Sequence, residues 1–298
     1  MTQSLSLTAP AGHILPFMFD NMPVRGLVLR LQDIETYIPS LQEEGVVGQM
    51  LTEMLAASAT LVYDLKNKAH VTLQIHSESD LGLMVSQCDK DGGMRAYANL
   101  KEKASVADLA YTDVAENKPI FVVNVEQGGH RYQSLIQLNE KSVSSSLEQY
   151  FNDSVQLPTY FRVYCDDKNL GNCGAVFLQA MPGDQTKEDD WARLGMLLDT
   201  LTKEEAVPGK ITDKDLLRRL FAEDVVRVFE QKKLNIVMPN LKERMEKALK
   251  SMGVAQVREL LDEGPISMTC EFSGQTITFV EDDVRNIFGT VWNEDTGE

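Results

Sequence analysis

Four cysteines have the strongest intrinsic chemistry in this sequence, because a thiolate can bind a metal, attack an electrophile or form a disulfide. They stand at Cys88, Cys165, Cys173 and Cys270. Their wide spacing argues against a small fold held together by a disulfide framework.

Cys165 and Cys173 flank the loop between two predicted strands, residues 159–166 and 174–181. They could face each other across the base of this hairpin, and a disulfide would form if their Cα atoms approach within about 7 Å. Two packed free thiols are the expected state in a reducing cytosol. The pair is therefore a candidate redox pair whose state the sequence leaves open.

The histidines do not form a metal site or a catalytic site. His70 and His76 share one face of a predicted strand, but they are roughly 20 Å apart, too far to share a metal. His130 lies in a predicted turn, where a plain loop role is expected. A catalytic base would need an orienting carboxylate and a nucleophile, and the motifs G-x-S-x-G, H-E-x-x-H and G-x-x-x-x-G-K-[ST] do not occur. We predict that the protein is not an enzyme.

The composition limits the class of protein further. The chain has 298 residues, 43% of them hydrophobic, and a net charge of −16. This charge disfavours binding to nucleic acid or to anionic membranes, whereas it suits a protein that stays soluble while apolar surface is exposed. The N-terminus does not resemble a secretion signal, and no apolar stretch approaches the roughly 18 residues of a membrane span. We expect a cytoplasmic protein.

Alternating and helical patterns place these residues on elements of an α+β fold. Helices are predicted around residues 47–65 and 142–151. Strands are predicted at residues 27–31 and 71–75, and as three hairpins that pair 81–87 with 94–100, 119–126 with 132–138, and 159–166 with 174–181. Beyond Pro182, Gly183 and Asp184 the sequence becomes helical and highly charged, which indicates a helical linker rather than a core.

The order of these segments resembles the redox-regulated heat-shock protein of 33 kilodaltons, a family of bacterial holdase chaperones. No single motif decides the resemblance, but a collinear set of stretches covers nearly the whole chain. The stretches are FDN at 19–21, VRG at 24–26, LTEMLAA at 51–57, GMRAYA at 93–98, RYQS at 131–134, LEQYF at 147–151, QLPT at 156–159, LLRRLF at 216–221 and TCEF at 269–272.

The resemblance implies a zinc site that this sequence does not preserve. The family holds zinc with a C-x-C pair and a later C-x-x-C pair, and the corresponding positions here are Met238, Asn240, Cys270 and Ser273. Structural zinc takes four thiolate or imidazole ligands, and only one thiol of four remains. We expect no zinc, no other cofactor, and loss of the zinc-thiol redox switch.

Two interpretations of the last domain follow. It could be an inert remnant, or packing could have replaced the metal and left a domain of marginal stability. In the second case its unfolding by heat would uncover the linker. The residues expected to form this modest core are Met238, Leu241, Met245, Met252, Met268 and Phe272.

An apolar stripe in the linker also has two interpretations. It could be the face that a helix and a strand bury permanently, or a client-binding surface that is covered at rest and exposed on activation. Holding an unfolded chain requires adaptable apolar area rather than a shaped polar pocket. The candidate residues are Leu216, Leu217, Leu220, Phe221, Val226 and Val228.

The resemblance implies an α+β chaperone domain with an antiparallel sheet at residues 1–182, a helical linker at 183–231 and a small α+β domain at 232–298. It also implies ATP-independent holding of unfolding proteins under heat or other stress, and a homodimer in the active state. We expect holding to be constitutive or triggered by unfolding. The alternative is an adaptor that binds one folded partner. The sequence leaves open the trigger, the natural clients and the resting oligomeric state.

Overall fold

A computed structural model of the chain describes residues 7–42, 45–63, 65, 68–78, 81–101, 109–181, 186–238, 241–270, 275–289 and 291–294. Their contacts divide them into two units. The larger unit is Ala9–Ile236, and the smaller unit is the described chain from Val237 onward with residues 7 and 8. The division therefore falls after Ile236 rather than after residue 231, and the segment predicted as a linker lies inside the larger unit. The predicted boundary at Pro182, Gly183 and Asp184 is outside the described residues.

A large mixed sheet forms the larger unit. Its order is β7-β6-β3-β4-β5-β11-β1-β2-β9-β8, with β10 also paired to β1. The pairs β7–β6, β6–β3, β3–β4, β4–β5, β1–β2, β2–β9, β9–β8 and β1–β10 are antiparallel, whereas β5 and β11 run parallel. The strands are β1 Leu7–Phe19, β2 Val24–Leu31, β3 His70–His76, β4 Leu83–Asp89, β5 Gly93–Asn99, β6 Ile120–Gln127, β7 His130–Gln137, β8 Thr159–Cys165, β9 Cys173–Ala180, β10 Val226–Val228 and β11 Lys232–Met238.

The three predicted hairpins are confirmed as β4–β5, β6–β7 and β8–β9. Strand β1 is not predicted by the sequence, because Pro10, Gly12 and Pro16 interrupt its alternation. Gly12 adopts φ +142°, and a Cβ there would lie 1.9 Å from the carbonyl oxygen of Arg30. The close approach of β1 to β2 therefore requires a glycine at this position.

Helix α1, Val46–Tyr63, packs on one face of the sheet and is buried almost all round, as its apolar sequence predicts. By length and composition alone it could cross a membrane, so the expectation that no such stretch exists is wrong. However, 83% of the segment is buried inside the protein, as in the core helix of a soluble domain. Two further helices, α2 Tyr111–Glu116 and α3 Val143–Tyr150, follow, and a π-helical turn at Phe151–Val155 extends α3. Short 3-10 helices occur at Ile34–Thr36 and Pro39–Gln42.

Three helices cover the opposite face of the sheet: α4 Glu188–Asp199, α5 Lys203–Ala206 and α6 Asp213–Leu220. Thr202 and Thr212 cap α5 and α6 by accepting the backbone N–H of Glu205 and Asp215. The prediction that this segment is a linker without a core role is wrong. Although charged residues dominate its sequence, the segment has an apolar face that packs against β1, β2 and β9.

The smaller unit is a compact α+β fold. Its elements are α7 Leu241–Met252, α8 Val254–Asp262, β12 Ile266–Thr269, β13 Thr276–Phe279, α9 Glu281–Phe288 and α10 Val291–Glu294. Met245 is buried in its core, and Leu241 and Met268 pack against that core. Met252 is instead 37% exposed, so its predicted core role is wrong. The side chains of Met238 and Phe272 lie outside the described part of the chain. The buried core is Met245, Leu249, Val254, Val257, Cys270, Phe279, Val284 and Trp292.

Candidate functional site

The predicted stripe is covered by the sheet of its own unit. Leu216, Leu217, Leu220 and Phe221 are buried on the inner face of α6. Their spacing places them on one side of the helix. They share one apolar cluster with side chains of α4 and of the sheet: Leu15, Phe17, Phe19, Met22, Val24, Val28, Val176, Leu178, Leu194, Leu198, Leu201 and Ala206.

Three phenylalanines join α6 to β1. The ring of Phe221 lies 5.0 Å from that of Phe19 and 5.9 Å from that of Phe17. Gly26 on β2 leaves room for this cluster, because a Cβ there would lie 2.1 Å from Cζ of Phe17. Such edge-to-face and tilted pairs stabilise the contact beyond their buried area by about 0.5–1.5 kcal/mol each.

Helix α4 is held to the sheet by a second aromatic contact. Trp191 stacks on Tyr160 of β8 with ring centroids 4.5 Å apart and planes 9° apart. Gly195 sits above the Tyr160 hydroxyl, where a Cβ would lie 2.5 Å from the oxygen. Any side chain at position 195 would therefore push α4 away from this strand.

Among the polar contacts of the segment from α4 to β10, two centre on largely buried carboxylates. Arg193 of α4 donates two hydrogen bonds of 2.9 and 2.8 Å to Asp224, which also accepts one from Asn21. The bonds from Arg193 lower the pKa of Asp224, because they favour its ionised form. Asp224 is therefore a charged anchor between α4, the loop after β1 and the start of β10.

The second contact lies at the start of α6. Asp213 accepts a 3.0 Å bond from Arg30 of β2, and its other oxygen lies 2.5 Å from Nε2 of His13. Burial alone would raise the pKa of Asp213, but the bonds from His13 and Arg30 outweigh it and the pKa is lowered. Arg30 also donates to the carbonyl oxygens of Glu205 and Val207.

One groove exposes part of the stripe to solvent. It has a volume of about 470 Å³ and lies between α6 and β10, where Leu217, Phe221, Val226 and Val228 line it. Val228 is 37% exposed. The neighbouring Val225 and Phe229 are 64% and 46% exposed. The six predicted residues therefore form a surface that is mostly covered and open at one end.

The candidate redox pair is brought together. Cys165 and Cys173 are direct partners across β8 and β9, and both are buried free thiols. The neighbouring backbone bond from Asp166 to Asn172 makes Cys165–Cys173 a non-hydrogen-bonded pair, where Cα atoms lie about 4.5 Å apart. The hydrogen bond shared with Cys173, and then burial, raise the pKa of Cys165 well above its usual value. The geometry suits a disulfide, but the thiols are poorly reactive as they stand.

Structural roles are taken by His70, by His76 and by Cys270, the one thiol at a family zinc position. His70 lies 3.2 Å from Glu126, and His76 lies 3.2 Å from Gln74. Cys270 is buried in the apolar core of the smaller unit, and its N–H donates to the carbonyl of Gln275. Asn240 and Ser273 lie outside the described residues, as does the side chain of Met238. Within the described ranges, no group of three His, Cys, Asp or Glu side chains could hold a metal.

The fold matches that of a known protein. The crystal structure of the 33 kDa chaperonin of Thermotoga maritima, a heat shock protein 33 homolog, superposes with a TM-score of 0.74. The match covers 92% of this chain and 97% of that chain at 20% sequence identity. It shows that the two proteins share this α+β architecture.

Sequence comparison identifies the family. Residues 12–280 match the family model described as Hsp33 protein. The 33 kDa chaperonin of Methylobacillus flagellatus is 30% identical over 289 residues, which cover 94% of this chain and 95% of that protein. That of Azotobacter vinelandii is 31% identical over 282 residues, covering 91% and 93%. The chain belongs to the Hsp33 family. It is a molecular chaperone, and its partners are unfolded client proteins.

Proposed function

We propose that clients bind the apolar surface between the sheet and helices α4–α6 after this segment loosens. One observation carries the proposal: the stripe is buried in the core of the larger unit, yet one end of it opens into the groove between α6 and β10. A client chain can begin to bind there and extend as the helices detach. Covered apolar area of this kind matches the need of a holdase, which binds many sequences without a shaped pocket.

We further propose that holding uses neither ATP nor zinc and that the protein has no enzymatic activity. Of the four family zinc positions only Cys270 offers a thiolate, and that thiol is packed among apolar side chains. A donor set with one thiolate does not suit structural zinc. The trigger is then unfolding of the smaller unit or heat, rather than metal release.

Four further proposals concern the setting in which the protein acts. We propose that the active form is a homodimer, and that the protein acts in the cytoplasm without binding nucleic acid or membrane. The net charge of −16 supports the last two points, since both nucleic acid and anionic lipid would repel it. The four free thiols agree with a reducing compartment.

Light scattering tests the main proposal. Protein kept reduced and treated with a chelator is mixed with heat-denaturing citrate synthase and, separately, with luciferase. We expect both clients to stay soluble at about one chaperone per client, because the surface does not select sequences. Protection of neither client, or of one alone, would contradict general holding and favour an adaptor.

A further inference from the structure

We propose that the outer edge of strand β7 is a second client-binding surface, which pairs with extended segments of unfolded chains by adding them as a strand. This inference rests on the proposed holding of unfolded clients. The β7 edge differs from the surface under α4–α6, because binding at the edge needs no conformational change. In the described ranges, β7 pairs with β6 on one side and stands at the end of the sheet on the other.

The hairpin geometry shows which backbone groups of β7 point outward. Gly128 and Gly129 adopt φ +58° and +83°, as a two-residue type I′ turn requires. The flanking pair Gln127 and His130 is then hydrogen-bonded, and hydrogen-bonded pairs alternate along the ladder. The residues of β7 whose N–H and C=O point away from β6 are therefore Arg131, Gln133, Leu135 and Gln137.

In the described part of the chain, the β7 edge carries none of four common protections against pairing with other chains. Natural edge strands are commonly short, bulged, rich in lysine or interrupted by proline. Strand β7 is eight residues long, contains no proline, and keeps a continuous register with β6. Its one formally charged side chain is Arg131. An edge of this kind would promote aggregation in most proteins, but it provides backbone donors and acceptors to a chaperone.

Apolar side chains and a groove accompany the open edge. Leu135 is 70% exposed, and its neighbour on the same face, Ile120, is 55% exposed. Tyr132 is 62% exposed on the opposite face. A groove of about 950 Å³ runs between the end of β7 and helix α3. An added strand would place alternate side chains against these two faces, as in other complexes formed by strand addition.

An extended client segment suits this edge better than a second copy of the chain does. The partners of this family are unfolded proteins, whose extended segments have free backbone donors and acceptors. Backbone pairing is also independent of sequence, so it serves a protein with varied clients. Lys118, Lys141, Glu116 and Glu140 mix both signs of charge around the groove, which does not restrict the charge of the client.

A proline at position 133 tests the proposal. Gln133→Pro removes an outward N–H without removing a hydrogen bond to β6, and Gln133→Ala is the matched control that keeps the N–H. With reduced, carbamidomethylated lysozyme as an unfolded probe, we expect Gln133→Pro to bind about fivefold more weakly, the factor for one net hydrogen bond. We expect Gln133→Ala to bind like the wild type. Thermal melting checks that both variants remain folded.

Hydrogen exchange in the wild-type protein gives a second measurement, which does not depend on how the proline variant folds. Adding the probe should slow exchange of the outward amides of Gln133, Leu135 and Gln137, while the amides of Ser134 and Ile136, already bonded to β6, change little. Equal binding by the two variants, or no slowing in the wild type, would overturn the edge proposal while general holding stands. Failure of the wild type to hold any client would overturn the proposed function itself. If the outward amides exchange more slowly when the protein concentration alone is raised, without the probe, the edge pairs with a second copy of the chain. That result would also overturn the proposal.

Discussion

Among the described carboxyl groups of the larger unit, that of Glu53 has the most strongly shifted pKa. It lies in the middle of α1 and accepts the backbone N–H of Ser144, at the start of α3. Burial raises the pKa of Glu53 to about 7, and the hydrogen bonds only partly offset this effect. The acid therefore links the long core helix to α3, while its burial favours the protonated form.

Glu53→Gln should make stability less dependent on pH. The folded pKa of about 7 lies above the unfolded value of 4.5, so the stabilising contribution of the proton is full below pH 4.5 and is lost as pH rises through 7. Above pH 7, ionisation of the buried Glu53 lowers the unfolding free energy of the wild type by about 3 kcal/mol. The neutral glutamine of the variant does not have this cost. Urea unfolding at pH 5 and pH 8 should show the advantage of the variant growing with pH. Glu116→Gln, at an exposed position, should show no such trend, and a constant advantage of Glu53→Gln would contradict the assignment.

The thiols of Cys165 and Cys173 should oxidise only after β8 and β9 loosen. Both are buried, and the raised pKa of Cys165 keeps it protonated, whereas the thiolate is the reactive form. We expect diamide to leave both thiols free at 25 °C and to join them near the melting temperature, with the loss of two hydrogens. Alkylation and mass spectrometry measure this, with the buried Cys88 as the unpaired control. Rapid oxidation of the folded protein would show that the pair reacts at rest.

At the scale of elements, the segment from α4 to β10 is held by a large apolar contact and a few polar anchors. Burying Leu216, Leu217, Leu220 and Phe221 contributes about 1.5–3 kcal/mol per side chain. The anchors at Asp213 and Asp224 hold the start of α6 and the chain just before β10. Weakening one anchor should therefore loosen helices α4–α6 while the sheet stays folded.

Arg193→Gln tests whether a polar anchor controls how easily the segment from α4 to β10 loosens. It leaves Asp224, whose side chain is only 2% exposed, without its bidentate partner, at a cost of about 1–3 kcal/mol. We expect stronger binding of an apolar dye and client holding at a lower temperature than in the wild type. Arg218→Gln on the exposed side of α6 should change stability by less than about 0.5 kcal/mol. Unchanged dye binding in Arg193→Gln would mean that the anchor does not control the segment.

The elements differ in how far the sequence alone predicts them. The hairpins follow from alternation around the turns, as at Gly128 and Gly129, and α1 follows from its apolar run. Strand β1 could not be predicted, because its pairing with β2 depends on Gly12 and overrides Pro10 and Pro16. The core role of α4–α6 was missed because charged residues dominate their composition. The anchors Arg30–Asp213 and Arg193–Asp224 join distant positions, so no local spacing indicates them.

For the whole molecule, the two units differ greatly in the size of their cores. In the described ranges the core of the smaller unit has eight buried residues, one of which is Trp292, and Arg258 lies over its ring. Units of this size are marginal without a metal or disulfides. The two tryptophans of the chain lie one in each unit, Trp191 in the larger and Trp292 in the smaller.

This placement allows the two units to be melted and observed separately. In Trp191→Phe the fluorescence reports the smaller unit, and in Trp292→Phe it reports the larger. We expect the Trp292 signal to change at a lower temperature than the Trp191 signal, and a chelator to shift neither. Coincident transitions would contradict independent unfolding of the smaller unit. A fall in the Trp292 transition on chelation would show that a metal stabilises it.

The covalent link between α6 and the sheet makes the segment a tethered competitor of every client. A group attached by a short flexible connection faces its binding surface at an effective concentration in the millimolar range. A client present at micromolar concentration must therefore displace a ligand that is always close by. Each tenfold weakening of the segment's docking should raise apparent client affinity by up to the same factor, so substitutions at Phe221 or Asp224 should adjust the threshold at which holding begins.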